Sequence, residues 1–152
     1  MPQTLMDKLV GEVRHYRNKE FLKAVMAVCA LAALADDEFK LSERYRIFQV
    51  FASNEALKAL DFNKAVDILD DYIYALRRDG KSARSVLYAK VARMADQPKR
   101  ARTMMRVAYL IIVADDEVAD SEVAEFDRLC VQLKLKPEQV WRDMGGAPRA
   151  TP

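Results

Sequence analysis

The amino-acid sequence predicts an all-α fold, a single compact domain of seven to eight helices. Glycine and proline are scarce, with four and five copies in 152 residues, so few positions break a helix. Apolar residues recur at the spacing of three and four that marks an amphipathic helix, and no segment alternates as a strand does. A short acidic motif occurs twice, and each copy separates an apolar segment from an amphipathic one. These observations predict two pseudo-twofold-related repeats of helix, acidic turn and helix.

Helical segments follow one another closely along the chain. The predicted segments are 6–17, 21–35, 42–57, 62–76, 82–94, 98–114, 121–133 and 137–144. Segment 21–35 is apolar on nearly all sides, so we expect it at the centre of the core. The chain then divides into an N-terminal helix within residues 1–18, a helical domain at 19–144 and a flexible tail at 145–152.

Residues that favour helix ends support these boundaries. Ser42 and Asp61 are suited to N-cap positions, because their side-chain oxygens can accept hydrogen bonds from free backbone N–H groups. Asp79-Gly80 is typical of a turn. Pro98 is suited to the first turn of a helix, where no N–H is needed.

Composition and charge exclude several classes of protein. The formal net charge is only +2, so we expect no nucleic-acid partner. The N-terminus lacks the basic start and apolar run of a signal peptide. The longest apolar run, residues 24–35, is shorter than the roughly 20 residues that span a bilayer. We therefore expect a cytoplasmic protein, in which Cys29 and Cys130 are reduced thiols of the core.

The acidic motif is the most informative feature. Residues 35–43 read Ala-Asp-Asp-Glu-Phe-Lys-Leu-Ser-Glu, and residues 114–122 read Ala-Asp-Asp-Glu-Val-Ala-Asp-Ser-Glu. Two copies of one structural unit usually pack so that each buries the face that the other cannot. We therefore expect the two apolar helices to lie side by side, with the two acidic turns near one another.

Helix capping explains only part of this acidity. Glu43 and Glu122 stand at the start of a helix, where negative charge is favourable. The aspartate pairs stand at the end of a helix, where negative charge is unfavourable, so they call for a compensating cation. Carboxylates converging from a turn suit Ca²⁺ or Mg²⁺, although the spacing is not that of an EF-hand. The candidate metal ligands are Asp36, Asp37, Glu43, Asp115, Asp116 and Glu122. Glu38 and Glu117 are secondary candidates, and the alternative is a solvated acidic connection.

The sequence resembles the TerB family of bacterial tellurite-resistance operons. The resemblance extends over roughly residues 21–140. Besides the two motifs, it is carried by Asn-Lys-Glu-Phe at 18–21, Ala-Val-Cys-Ala at 27–30, Ser-Asn-Glu-Ala-Leu-Lys at 53–58, Asp-Gln-Pro at 96–98 and Leu-Lys-Leu-Lys-Pro-Glu at 133–138.

Two departures from the family pattern affect the site. The family's turns usually read Asp-Gly, whereas both turns here read Asp-Asp-Glu, so either aspartate of each pair can occupy the family's position. Lys134 stands where the family's closing segment often has glycine. The resemblance implies a helical fold with two similar halves and an acidic surface. It also implies metal-ion binding or sensing in a stress response that includes a membrane protein of the same operon type. It does not imply a known catalytic activity.

The remaining candidate functional residues give weaker indications of function. His15 is the only histidine, which excludes a site with several histidines. Cys29 lies in the most apolar stretch without a neighbour that would lower its pKa, so we do not expect it to react with tellurite. Residues 77–106 are rich in arginine and lysine, which suits anionic lipid headgroups, nucleic acid or an acidic partner. We favour the simpler interpretation, an exposed helix face with charges at helix ends.

Two functional hypotheses follow. The first is a metal-responsive cytoplasmic binding module that takes up a divalent cation at its acidic turns. The second is a metal-free adaptor that binds a partner protein or the inner face of the membrane. A third, an enzyme that uses the carboxylates as a general base, has the least support, because no nucleophile or oxyanion donor accompanies them.

Overall fold

The computed structural model describes residues 19–34, 45, 47–49, 51–52, 61–113 and 118–146. All of its regular secondary structure within these ranges is helical, which confirms the all-α prediction. The helices with defined bounds are α1 (Lys19–Ala33), α2 (Phe62–Arg78), α3 (Gly80–Ala92), α4 (Pro98–Val113), α5 (Asp120–Gln132) and α6 (Pro137–Asp143). The described residues between positions 45 and 52 are also helical. The predicted helix at 6–17 and the tail beyond 146 lie outside the described residues.

The helix ends follow the local signals closely. Lys64 N donates to Asp61 Oδ1 at 3.2 Å, so Asp61 is the predicted N-cap. Pro98 is the first residue of α4, as expected. The prediction for α3 was wrong by two residues, because it begins at Gly80 and not at Ser82. Asp79 is the reason: it ends α2 and also caps α3, with its Oδ1 accepting from Ser82 N at 3.3 Å.

Helix α1 lies at the centre of the fold. Twelve of its fifteen residues are buried, which confirms the expectation from its apolar sequence. It contacts α2, α3, α4 and α5, and its most extensive contact is with α4. The two apolar helices that precede the acidic motifs therefore pack against each other, as the repeat led us to expect. A pseudo-twofold relation between the halves stays a prediction.

The segments after the two motifs share one burial pattern. When the motifs are aligned, Ile47 matches Phe126, and both are fully buried. Phe51 matches Cys130, and both are also buried. The same positions of the two copies thus face the core.

Trp141, the only tryptophan, anchors the seven-residue helix α6. Its ring lies against Phe126 of α5, with ring centroids 3.9 Å apart. Its Nε1 donates to Asp127 Oδ1 at 2.7 Å. Tyr109 of α4 meets it edge-on, with centroids 6.2 Å apart. An open groove of about 570 Å³ runs beside these side chains. Within the described part of the chain, no helix has both the length and the apolar character to cross a membrane.

Candidate functional site

The acidic turns are described through the residues that flank them. Of the predicted ligands only Glu122 lies within the described ranges. Those outside them are Asp36, Asp37, Glu43, Asp115 and Asp116, together with the secondary candidates Glu38 and Glu117. Leu34 is the last described residue before the first acidic turn, and Val113 and Val118 are the described residues on either side of the second. Elsewhere in the described ranges, no group of three or more histidine, cysteine, aspartate or glutamate residues is arranged to hold a metal ion.

Glu122 closes the first turn of α5. Its Oε1 accepts a hydrogen bond from Ala119 N at 3.1 Å, while its own N donates to Ala119 O at 3.0 Å. A carboxylate at this end of a helix also interacts favourably with the helix dipole. The capping role expected for Glu122 is thus confirmed, and its role as a metal ligand stays a prediction.

Arg84 provides a positive charge where the chain leaves α1. Its Nη2 donates to the backbone oxygen of Leu34 at 3.0 Å, from a half-buried position on α3. The last carbonyls of a helix have no partner within the helix, and a cation there is stabilising. Sequence reasoning missed this contact and looked for an external cation instead. The contact joins residues 50 positions apart, so its only signal was the basic character of residues 77–106.

Glu125 is a buried carboxylate that the sequence did not single out. Its exposed fraction is 0%. Tyr88 Oη donates to its two oxygens at 2.7 and 2.8 Å, and Arg128 Nε donates to Oε2 at 2.7 Å. A buried charge is tolerated only when it is paired and hydrogen-bonded. Burial raises the pKa of the Tyr88 hydroxyl above its usual range, and the hydrogen bond to Glu125 raises it further. Tyr88 is therefore a donor at neutral pH.

Helix α3 joins the flanks of the two acidic turns. Arg84 and Tyr88 are four residues apart, so they project from the same side of α3, about one turn from each other. Arg84 donates to the backbone at the end of α1. Tyr88 donates to Glu125, which lies in α5 one turn after Glu122. The end of the first apolar helix and the helix after the second acidic turn consequently lie against one side of α3.

The thiols are not reactive groups. Cys29 and Cys130 are both free and fully buried. The pKa of each thiol is raised to about 12, by burial at Cys29 and by burial together with the negative charge of Asp127 at Cys130. Because the thiolate is the nucleophile and metal ligand, neither cysteine is available for reaction at neutral pH.

The arginines within residues 77–106 have several separate structural roles. Arg106 is buried, and Arg84 holds the end of α1. Arg93 Nη1 lies 4.0 Å from Glu20 Oε2. Arg77 and Arg78 occupy the last turn of α2, where positive charge complements the helix dipole. These positions agree with helix-end charges better than with one continuous basic face.

Comparison with known proteins finds a family whose model matches most of the chain. The family model described as "Tellurite resistance protein TerB" matches residues 22–143, from within α1 to the end of α6. "Tellurium resistance protein TerB" from Alcaligenes sp. is 26% identical over 101 residues, which cover 66% of this chain and 83% of that protein. No solved structure matches the chain.

Proposed function

Because the chain belongs to the TerB family, we propose that it is a tellurite-resistance-associated binding module that takes up a divalent cation at its acidic turns. The candidate ligands are the carboxylates of Asp36, Asp37, Glu43, Asp115, Asp116 and Glu122. Ca²⁺ and Mg²⁺ are the expected ions, because both prefer oxygen ligands. The module works by binding and not by catalysis.

One observation carries this proposal, namely the arrangement of Leu34 and Glu125 on one side of α3. Asp36 follows Leu34 by two residues, so their Cα atoms are at most about 7 Å apart. Glu122 precedes Glu125 by one helical turn. From this shared contact with α3 we infer that carboxylates of both copies of the motif act on the same cation or on neighbouring ones. The common helix is what supports a shared site.

The mechanism we propose is charge neutralisation. Carboxylates that converge on one site repel one another, and like charges a few ångströms apart destabilise the arrangement that brings them together. A divalent cation offsets this repulsion and favours the arrangement in which the carboxylates converge. The resulting surface then differs between the free and the cation-bound states, and a partner can distinguish them.

Isothermal titration of chelator-treated protein with Ca²⁺ tests the proposal. We would compare the wild type with Asp36→Asn/Asp115→Asn and with Asp37→Asn/Asp116→Asn. Loss of binding in one double variant supports the site and identifies which aspartate of each pair is the ligand. Asp67→Asn/Asp71→Asn is the matched control, since both are exposed carboxylates on α2. No heat with millimolar Ca²⁺, Mg²⁺, Mn²⁺ or Zn²⁺, or equal binding by all variants, would contradict the proposal.

The contact between Arg84 and Leu34 favours a second candidate function. Since the protein itself supplies a cation beside the first turn, the acidic surface can exist without metal and bind a basic partner. A metal-free adaptor of this kind would work in the cytoplasm or at the inner face of the membrane. Flotation with anionic vesicles at low and high salt tests the membrane location, because electrostatic retention is lost as salt rises.

A further inference from the structure

We propose that the exposed side of α2 is a self-association surface, which joins two copies of this chain through an antiparallel contact between their α2 helices. This inference goes beyond the proposed function, because it uses none of the acidic-turn residues. It depends on the spacing, exposure and charge of residues that all lie within Phe62–Arg78.

Helix α2 has one side in the core and the opposite side in solvent. Its buried residues are Ala65, Leu69, Ile73 and Leu76. Four exposed residues follow one another at steps of four, three and four positions, and they are Asp67, Asp71, Tyr74 and Arg78. This spacing places the four side chains in one row, which we call the α2 stripe. The α2 stripe lies about half a turn of the helix away from the buried side.

The α2 stripe combines an exposed aromatic ring with opposite charges at its two ends. Tyr74 is 65% exposed, more than any other large hydrophobic side chain among the described residues. Tyrosine is enriched at protein interfaces, because its ring gains from burial while its hydroxyl can form a hydrogen bond. Asp67 and Arg78 form no ion pair with any residue that the structure describes. Their charges are therefore available to a second molecule.

The order of residues along the α2 stripe is complementary to itself. Asp67 and Arg78 lie equally far from the midpoint between residues 72 and 73, and so do Asp71 and Tyr74. A twofold axis through this midpoint therefore places Asp67 of each copy opposite Arg78 of the other. It also places each Asp71 carboxylate opposite a Tyr74 hydroxyl, which can donate a hydrogen bond to it. The two ion pairs are then about 16 Å apart along the helices, with both tyrosines between them.

The same charges disfavour the other arrangement of two helices. A parallel contact would place Asp67 opposite Asp67 and Arg78 opposite Arg78, which is repulsive at both ends. The antiparallel contact is closed by its twofold axis, so it gives a dimer and not a longer chain. One side of a single helix buries less than the roughly 800 Å² per partner of a typical stable interface. We therefore expect a weak dimer that forms at high protein concentration.

Sedimentation equilibrium of the full chain over a range of concentrations, with two charge-reversal variants, tests the proposal. The wild type should shift from monomer towards dimer as the concentration rises. Asp67→Arg and Arg78→Asp each place like charges opposite one another at both ends of the contact, so each variant alone should dimerise at least about tenfold more weakly. An equimolar mixture of the two variants restores opposite charges at both ends. The mixture should therefore form heterodimers about as tightly as the wild type dimerises.

Arg142→Asp is the matched control, because it makes the same change of charge at an exposed position on α6. This variant should dimerise like the wild type, and circular dichroism checks that every variant is folded. A wild type that stays monomeric at all concentrations would overturn the proposal. Dimerisation that neither charge reversal weakens, or a mixture that associates no better than its components, would overturn the antiparallel contact. Ca²⁺ binding is decided separately, since no variant changes an acidic turn.

Discussion

Tyr88 and Glu125, 37 residues apart in the sequence, join α3 to α5 through a hydrogen bond of 2.7 Å. The carboxylate is fully buried, and its second oxygen is held by both Tyr88 and Arg128. This contact is one of the two by which α3 connects the flanks of the acidic turns, so its stability bears directly on the proposed site.

Tyr88→Phe should therefore destabilise the protein. The variant keeps the ring but leaves the buried Glu125 carboxylate with one donor fewer, which typically costs about 1–3 kcal/mol. Urea unfolding at neutral pH measures the difference in free energy. Tyr74→Phe is the control, because Tyr74 lies on α2 with a 65% exposed side chain. Equal stability of the two variants would show that the Tyr88 hydroxyl contributes nothing.

Because the Cys29 thiol is buried, we expect the free energy of unfolding to fall at alkaline pH. The pKa of Cys29 rises from 9.0 to about 12 on folding, so the unfolded chain releases this proton at a lower pH than the folded protein. The stability linked to the thiol is complete below about pH 9 and declines as pH rises, by up to about 1.4 kcal/mol per pH unit. Cys29→Ala should show a shallower decline between about pH 9 and 11. Parallel pH profiles for the two proteins would contradict this prediction.

Both thiols should also resist modification in the native protein. Each lies in the core and remains protonated at neutral pH, whereas modification requires an accessible thiolate. Incubation with a thiol reagent should label neither cysteine in the native state and both in urea. Mass spectrometry counts the labels, and the same assay with tellurite should show no adduct on the native protein. Rapid labelling of either thiol without urea would refute the burial of that side chain.

Lys134→Gly should stabilise the protein. Lys134 has a φ of 57° directly after the last turn of α5, a conformation that costs a residue with a side chain about 1–2 kcal/mol. Glycine avoids this cost, but it loses more conformational freedom than lysine on folding. The net gain in the free energy of unfolding is about 0.5–1 kcal/mol. Thermal or urea unfolding measures it. Gln132→Gly, at an exposed position within the last turn of α5, should instead lower stability, because glycine is unfavourable inside a helix.

Local sequence signals predicted most of the fold. Asp61 and Pro98 mark helix starts because their effects act within one turn, and the structure confirms both. The apolar character of residues 21–35 predicted the central helix for the same reason, since burial on all sides requires an apolar surface on all sides. The glycine expected by family resemblance at position 134 corresponds to a backbone conformation that favours glycine.

Local sequence signals could not predict the contacts around the candidate site. Arg84 and Glu125 look like ordinary surface residues in the sequence, because the partners Leu34 and Tyr88 lie 50 and 37 positions away along the chain. Their roles come from the packing of α3 against α1 and α5. Carboxylate spacing alone therefore suggested an external cation, whereas tertiary structure adds an internal one beside the first turn.

The central position of α1 has a consequence for synthesis. Its main packing partner, α4, ends about 80 residues later, which corresponds to roughly 4–16 seconds of translation. During that interval the chain carries an apolar segment whose native neighbour does not yet exist. Nascent chains that end before α4 should therefore depend on chaperones and aggregate when released, because exposed apolar surface drives association. Folding of this chain on the ribosome accordingly has to wait for its second half.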